Sequence, residues 1–133
     1  MQSVVLPVAL TSAAAAGILN IWLAVRVGKV RMAEHVLIGD GGNLTLTARM
    51  RAHANFVEFT PFVLLLIALI EFNHGSTLVL WGASAVYMVA RILHALGMDM
   101  NKPNPMRAIG IILTILILLG LSAWAVAVAF GLL

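Results

Sequence analysis

Two stretches of this 133-residue chain contain no charged side chain at all, residues 1–25 and 108–133. A helix of about 20 residues, rising roughly 1.5 Å per residue, spans the hydrocarbon core of a bilayer, so each stretch is long enough to cross it. The composition agrees, with 62% of residues hydrophobic and 10% charged, against roughly 25% charged in a soluble domain. A water-soluble monomer is excluded, and residues 1–133 read as a single membrane domain. A secretory signal peptide competes for the first block, because Ala13–Ala16 offers small residues near a cleavage point, but no Lys or Arg precedes the apolar run.

Two further apolar blocks differ from the outer pair. The segment from Arg51 to Glu71 contains Asn55, Glu58 and Pro61, and that from Gly75 to Met98 contains Arg91 and His94. An ionisable group at membrane depth costs at least about 2.5–3.5 kcal/mol, so these two helices turn their polar sides toward each other or toward a wet cavity, while the outer two can face lipid. Gly41-Gly42-Asn43 supplies a turn and an N-cap, which starts the second helix near Leu44 and makes it protrude from the membrane. Lys102-Pro103-Asn104-Pro105 is a loop whose prolines end the third helix and set up the fourth. The expectation is an all-α integral membrane protein, a four-helix bundle with helices over roughly 3–27, 44–72, 75–98 and 106–132.

All eight basic residues fall at one end of that topology: Arg26, Lys29, Arg31, Arg49 and Arg51 around loop 1, and Arg91, Lys102 and Arg107 around loop 3. The positive-inside rule then places loops 1 and 3 in the cytoplasm and both termini outside, in an inner (plasma) membrane. Because the cations cluster between apolar blocks, the formal charge of +3 points to membrane lipid and not to nucleic acid as a partner.

With no cysteine in the chain, disulfides, thiolate metal sites and a thiol nucleophile of its own are excluded, so thiol chemistry requires a thiol from outside. His35, His53, His74 and His94 share no metal-ligand spacing, and no metal is expected. Gly39-Asp40-Gly41-Gly42 lacks the Lys and Ser or Thr of a phosphate loop and reads as a turn. Ser84 and Ser122 are small residues that suit helix contacts.

Arg51, Asn55 and Glu58 stand at i, i+4 and i+7, forming one stripe that runs from the cytoplasmic interface into the bilayer. Pro61 frees the carbonyl of Val57 and bends the helix there. A matching stripe on the third helix holds Tyr87, Arg91, His94 and Met98, with Arg91 the candidate counter-ion for Glu58 in the same subunit or a neighbour. Two readings stay open. The polar residues bind helices together, or they line a pocket. Arginines that hold carboxylates, beside a glutamate that takes an ammonium, suit a ligand with the charge pattern of glutathione. His94 and His53 are further candidates for donating to such a ligand.

The run Arg51-Ala52-His53-Ala54-Asn55-Phe56-Val57-Glu58-Phe59-Thr60-Pro61 resembles the R-A-x-x-N-x-x-E-x-x-P signature of the MAPEG family, membrane-associated proteins in eicosanoid and glutathione metabolism. Chain length, the Ile38–Asn43 loop and Arg91-Ile92-Leu93-His94-Ala95-Leu96-Gly97 look like its small bacterial branch, and the likeness covers essentially the whole chain. The resemblance implies a homotrimer with glutathione bound between subunits near the cytoplasmic side, contacted by Arg51, Asn55 and Glu58, with His53, Arg91, His94 and Arg31 as further cofactor-binding candidates. It also implies a thiol-activating arginine near the start of the fourth helix, for which Arg107 is the match and the catalytic candidate. A guanidinium there lowers a thiol pKa from near 8.5, and the thiolate attacks an electrophile or reduces a hydroperoxide.

The implied activity is a glutathione-dependent transferase or peroxidase acting on lipophilic small molecules. Eicosanoid-making members carry tyrosines where this chain has Phe59, His94 and Met98, so leukotriene or prostaglandin synthesis is not implied. A non-catalytic scaffold or lipid-binding protein of the same fold is the rival reading. A small multidrug exporter would keep its acid in the first helix, where residues 1–25 have none.

Overall fold

The computed structural model describes residues 3–100 and 102–133. It forms four helices, α1 (Pro7–Glu34), α2 (Leu44–His74), α3 (Leu78–Met98) and α4 (Pro105–Ala129), each long and apolar enough to cross a membrane. The architecture is an all-α, membrane-spanning four-helix bundle. Pro7 opens α1, whose missing N–H suits a first turn. The helix runs beyond the expected 27 to Glu34, so Lys29 and Arg31 sit on a helical extension and not in a loop. It stops where His35 adopts a left-handed φ of 55° and donates its N–H to the Arg31 carbonyl.

Helix α2 starts at Leu44, where the Asn43 side chain accepts from Leu46 N at 2.9 Å. It stays helical through Pro61 to His74. Its length of about 46 Å exceeds the hydrocarbon core, so the helix projects from it. Thr77 caps α3 through Leu80 N at 3.1 Å, which delays that helix to Leu78 from the expected 75. Asn104 caps α4 through Arg107 N at 3.0 Å, and α4 ends at Ala129, short of the expected 132.

Outward-facing apolar side chains are abundant: Leu10, Ile18, Ile21, Phe62, Leu65, Ile112 and Leu119 are all more than half exposed. Helix α4 buries only Gly110, Thr114 and Leu121, whereas α3 buries its polar stripe of Ser84, Tyr87, Arg91 and His94. The closest approach in the bundle joins these two helices. A Cβ added at Gly110 would stand 2.7 Å from His94 Cβ, and one at Gly97 would stand 2.7 Å from Arg107 Cα, so both positions require glycine for the helices to meet.

One apolar cluster, including Val63, Ile67, Leu80, Tyr87 and Leu121, fills the half of the bundle near the termini. A second, including Leu23, Ala52, Phe56 and Ala95, fills the half near loops 1 and 3.

Polar ties hold each end. At the terminal end, Glu71 is 2% exposed and its carboxylate accepts from Val8 N and Ala9 N, both at 2.8 Å, and from Ser76 Oγ at 2.7 Å. The first N–H groups of a helix have no partner within it, and a carboxylate complements both those donors and the helix dipole. Ser12 adds a 2.5 Å bond to Ser84, tying α1 to α3.

At the other end, Asp99 pairs with Arg26 and, at 3.6 Å, with Arg49, joining α1, α2 and the end of α3. Arg26 also stacks over Trp22, 4.8 Å from the ring centroid. Asp99→Asn is expected to lower stability by about 1–2 kcal/mol, between the values for exposed and buried ion pairs, when unfolding is followed by tryptophan fluorescence in detergent.

Loop 1 is bonded internally. Arg31 donates to Val36 O at 3.4 Å and Gly39 O at 2.7 Å. Asp40 accepts from Gly42 N and Thr47 Oγ1, and these bonds hold its carboxyl below the usual carboxylate range.

Candidate functional site

Two grooves flank α2 at the cation-rich end. Successive residues on a helix turn by about 100°, which places the two sets of α2 positions on adjoining flanks, about a quarter of a turn apart. The first groove, about 460 Å³, lies between α1 and α2 and is lined by Arg31, Met50, His53, Val57 and Glu58 among others. The second, about 330 Å³, lies between the start of α2, the end of α3 and the start of α4, where Leu44, Arg51, Met98, Lys102 and Arg107 contribute. The sequence-predicted residues are therefore divided between two surfaces and do not converge on one.

Arg51 and Glu58 bridge the two flanks, 3.7 Å apart, with side chains 58% and 55% exposed. An ion pair so exposed, running into an apolar slab, is costly unless something covers it. In the first groove, His53 Nε2 lies 2.7 Å from Asn20 Oδ1, and Arg31 reaches Met50 Sδ at 3.5 Å. In the second, the backbone N–H of Arg107 is held by the Asn104 cap. The exposed Arg107 side chain makes no salt bridge among the described residues.

The expected pairing of Arg91 with Glu58 is not what the subunit contains. Arg91 is 2% exposed and donates to Asn55 Oδ1 at 2.5 Å and Thr114 Oγ1 at 3.1 Å. The reason is angular: Glu58 lies about 60° around α2 from Asn55, on the outward side, while Arg91 lies behind α2 in the bundle interior. His94, 5% exposed, packs against Gly110, and its Nδ1 is buried without a hydrogen-bond partner. Arg91 and His94 thus stand behind the grooves, whereas Arg31, Arg51, His53, Glu58 and Arg107 line them.

Three participants escaped the sequence reading. Thr114 was signalled only by the Gly110-x-x-x-Thr114 spacing of small residues on an apolar helix. Asn20 is a lone amide in the first apolar block, and its partner His53 is far away in sequence. Glu71 is marked as a buried acid only by the fold. Among the described residues, no three His, Cys, Asp or Glu side chains come together in a set able to hold a metal ion.

Chemically, the grooves present guanidinium and ammonium groups beside a carboxylate and an imidazole, with apolar walls from Leu44, Met98 and Val57; Asn55 lines neither groove and lies between them on α2, held by Arg91. Such surroundings suit an anionic, zwitterionic head and a lipophilic companion.

Comparison with known proteins adds to this geometry. Residues 9–127 match the MAPEG family. The "Inner membrane protein YecN" of Escherichia coli (strain K12) is 32% identical over 71 residues, covering 53% of this chain and 54% of that protein. The protein of the same name from Escherichia coli O6:H1 is likewise 32% identical over 71 residues, with the same 53% and 54% coverage. The chain spans about half the length of the curated relatives it matches. With a family match that runs from α1 into α4, over a bundle carrying the polar stripe of α2, this chain belongs to the MAPEG family.

Proposed function

We propose that this protein is a membrane-bound, glutathione-dependent transferase or peroxidase acting on lipophilic electrophiles, working as a homotrimer in the bacterial inner membrane. Loops 1 and 3 face the cytoplasm and both termini lie outside, following the positive charge at one end. The relatives named as inner membrane proteins support that membrane. The observation that carries the reading is the division of the cationic side chains between two adjoining grooves, linked by an exposed Arg51–Glu58 pair. In a closed ring of identical copies, each copy offers one flank to one neighbour and the other flank to the next, which covers the pair and completes a site at every interface.

In that site Arg51 and Arg31 hold the carboxylates of glutathione, Glu58 takes its ammonium group, and Asn55 and His53 add hydrogen bonds. Arg107, free of any carboxylate partner among the described residues, stabilises the thiolate. Glutathione supplies the sulfur that displaces a leaving group from carbon or reduces a hydroperoxide, and the second substrate enters from lipid along the apolar walls.

Mixed oligomers test the arrangement. Arg51→Ala removes one half-site; Arg31→Gln removes the charge of the other while keeping a donor for the loop carbonyls. Each variant alone is expected to lose glutathione binding. Co-assembled in equal amounts, they are expected to recover about a quarter of the wild-type sites, since a random ring pairs two intact halves at that frequency. Absence of recovery in verified mixed rings would place both halves in one subunit and refute the shared site.

A non-catalytic scaffold or lipid-binding role is the second reading. It is favoured by Phe59 and Met98, which lack the hydroxyl of the family's tyrosines, and by the burial of His94. It requires that glutathione not bind at millimolar concentration.

A further inference from the structure

Arg91 presents an arrangement that ligand binding alone does not explain. Its guanidinium is buried inside the bundle, yet among the described residues it has no carboxylate partner. Two neutral acceptors hold it. Thr114 Oγ1 accepts from one terminal nitrogen at 3.1 Å while donating to Gly110 O at 2.8 Å, and Asn55 Oδ1 accepts from the other at 2.5 Å. The Phe59 ring lies 5.8 Å away, and the Nε of Arg91 is buried without an acceptor. A buried charge without an opposite charge is costly, so its position calls for a function.

The consequence falls on Asn55. A guanidinium only donates, so it can meet only the carbonyl end of an asparagine amide. Turning the amide over would set N–H against N–H. The Asn55 Nδ2 is therefore directed away from Arg91, where it reaches the surface with no hydrogen-bond partner among the described residues. It lies on the α2 stripe between Arg51 and Glu58. The guanidinium charge beside Oδ1 also polarises the amide and strengthens its N–H groups as donors.

We propose that Arg91 is a positioning residue that locks the Asn55 amide with its N–H groups outward, making this point of the site a reader of a ligand carboxylate and not of an ammonium or amide. The inference rests on the glutathione reading for the identity of that carboxylate. The lock itself depends only on the chain Gly110, Thr114, Arg91 and Asn55.

The test compares glutathione with its two monoamides, in which either the glycine or the γ-glutamyl α-carboxylate is capped, by calorimetric titration of detergent-purified protein. In the wild type, one of the two amides is expected to bind about tenfold more weakly than the other, marking the carboxylate that Asn55 reads. In Arg91→Met, of similar volume and uncharged, that tenfold preference is expected to vanish, because the amide is free to present its carbonyl. In Arg91→Lys, which keeps a donor for Asn55 Oδ1, the preference is expected to return.

A purely structural role for Arg91 would weaken all three ligands equally; equal weakening, or a preference unchanged in Arg91→Met, overturns the proposal. Relaxation of the Asn55 side-chain amide in ¹⁵N-asparagine protein provides the second readout, with an order parameter near about 0.85 expected for the wild type and below about 0.6 for Arg91→Met. If glutathione does not bind the wild type, the glutathione reading falls. The lock is then judged by relaxation alone: a rigid amide released in Arg91→Met sustains it, and a mobile wild-type amide refutes it.

Discussion

A Glu71→Ala protein is expected to be less stable than the wild type by about 3 kcal/mol or more, with the loss concentrated at the terminal end of α1. Two backbone N–H groups, of Val8 and Ala9, and the hydroxyl of Ser76 donate to this one carboxylate. Each buried donor left without an acceptor costs about 1–3 kcal/mol. Glu71→Gln is expected to fall between, since the amide carbonyl still accepts but the charge facing the helix dipole is gone. Hydrogen exchange at Val8 and Ala9 separates this cause from general loosening. Their protection should fall first, while amides around Ala52 and Phe56 in the other half of the core keep theirs.

The second large effect is expected in Arg107→Ala. A thiol with an ordinary pKa near 8.5 is only about 3% thiolate at pH 7, and a shift to about 6.5 raises that to about 75%. Losing the guanidinium therefore lowers the bound thiolate about 25-fold. Linkage fixes the sign and size of the binding change: because the bound thiol is the more acidic in the wild type, affinity at pH 7 falls by about fourfold in the variant, and the difference vanishes below about pH 6. Turnover drops less than the thiolate fraction, since a thiolate of higher pKa is the stronger nucleophile. The pH profile distinguishes the proteins: wild-type turnover is expected to level off by about pH 7.5, whereas the variant keeps rising through about pH 8.5 and partly recovers there.

Legibility in the sequence followed distance along the chain. The four spans were readable because each is a local apolar run, and the Asn43 cap on α2 because it lies three residues from the N–H it serves. The stripe of Arg51, Asn55 and Glu58 was readable from helical period alone. What escaped depends on which helix stands beside which. Glu71 looked like the polar end of a span, since its partners lie 62 and 63 residues away in sequence. The attraction of opposite charges suggested Glu58 for Arg91, but the inward side of α2 carries the amide of Asn55 instead. Likewise α1 continues through its basic residues to Glu34, because a helix that leaves the bilayer keeps its backbone bonds while charge marks only the membrane boundary.

The same pattern holds for the candidate site. Residue types and spacing identified Arg31, Arg51, His53, Glu58 and Arg107, which line grooves, but not their division between two flanks of α2. That division needs α1 packed on one side of α2 and the α3–α4 junction on the other. The glycines at positions 97 and 110, which let α3 and α4 meet, carry no chemical signal by themselves.

The decisive observation is the ultraviolet thiolate absorbance of detergent-purified protein during a glutathione titration at neutral pH, run beside Arg107→Ala. A saturable thiolate signal in the wild type that is lost in the variant, while glutathione still binds both, is the predicted result. No saturable signal in the wild type at physiological glutathione concentrations would contradict thiol activation and favour a scaffold built on the same four helices.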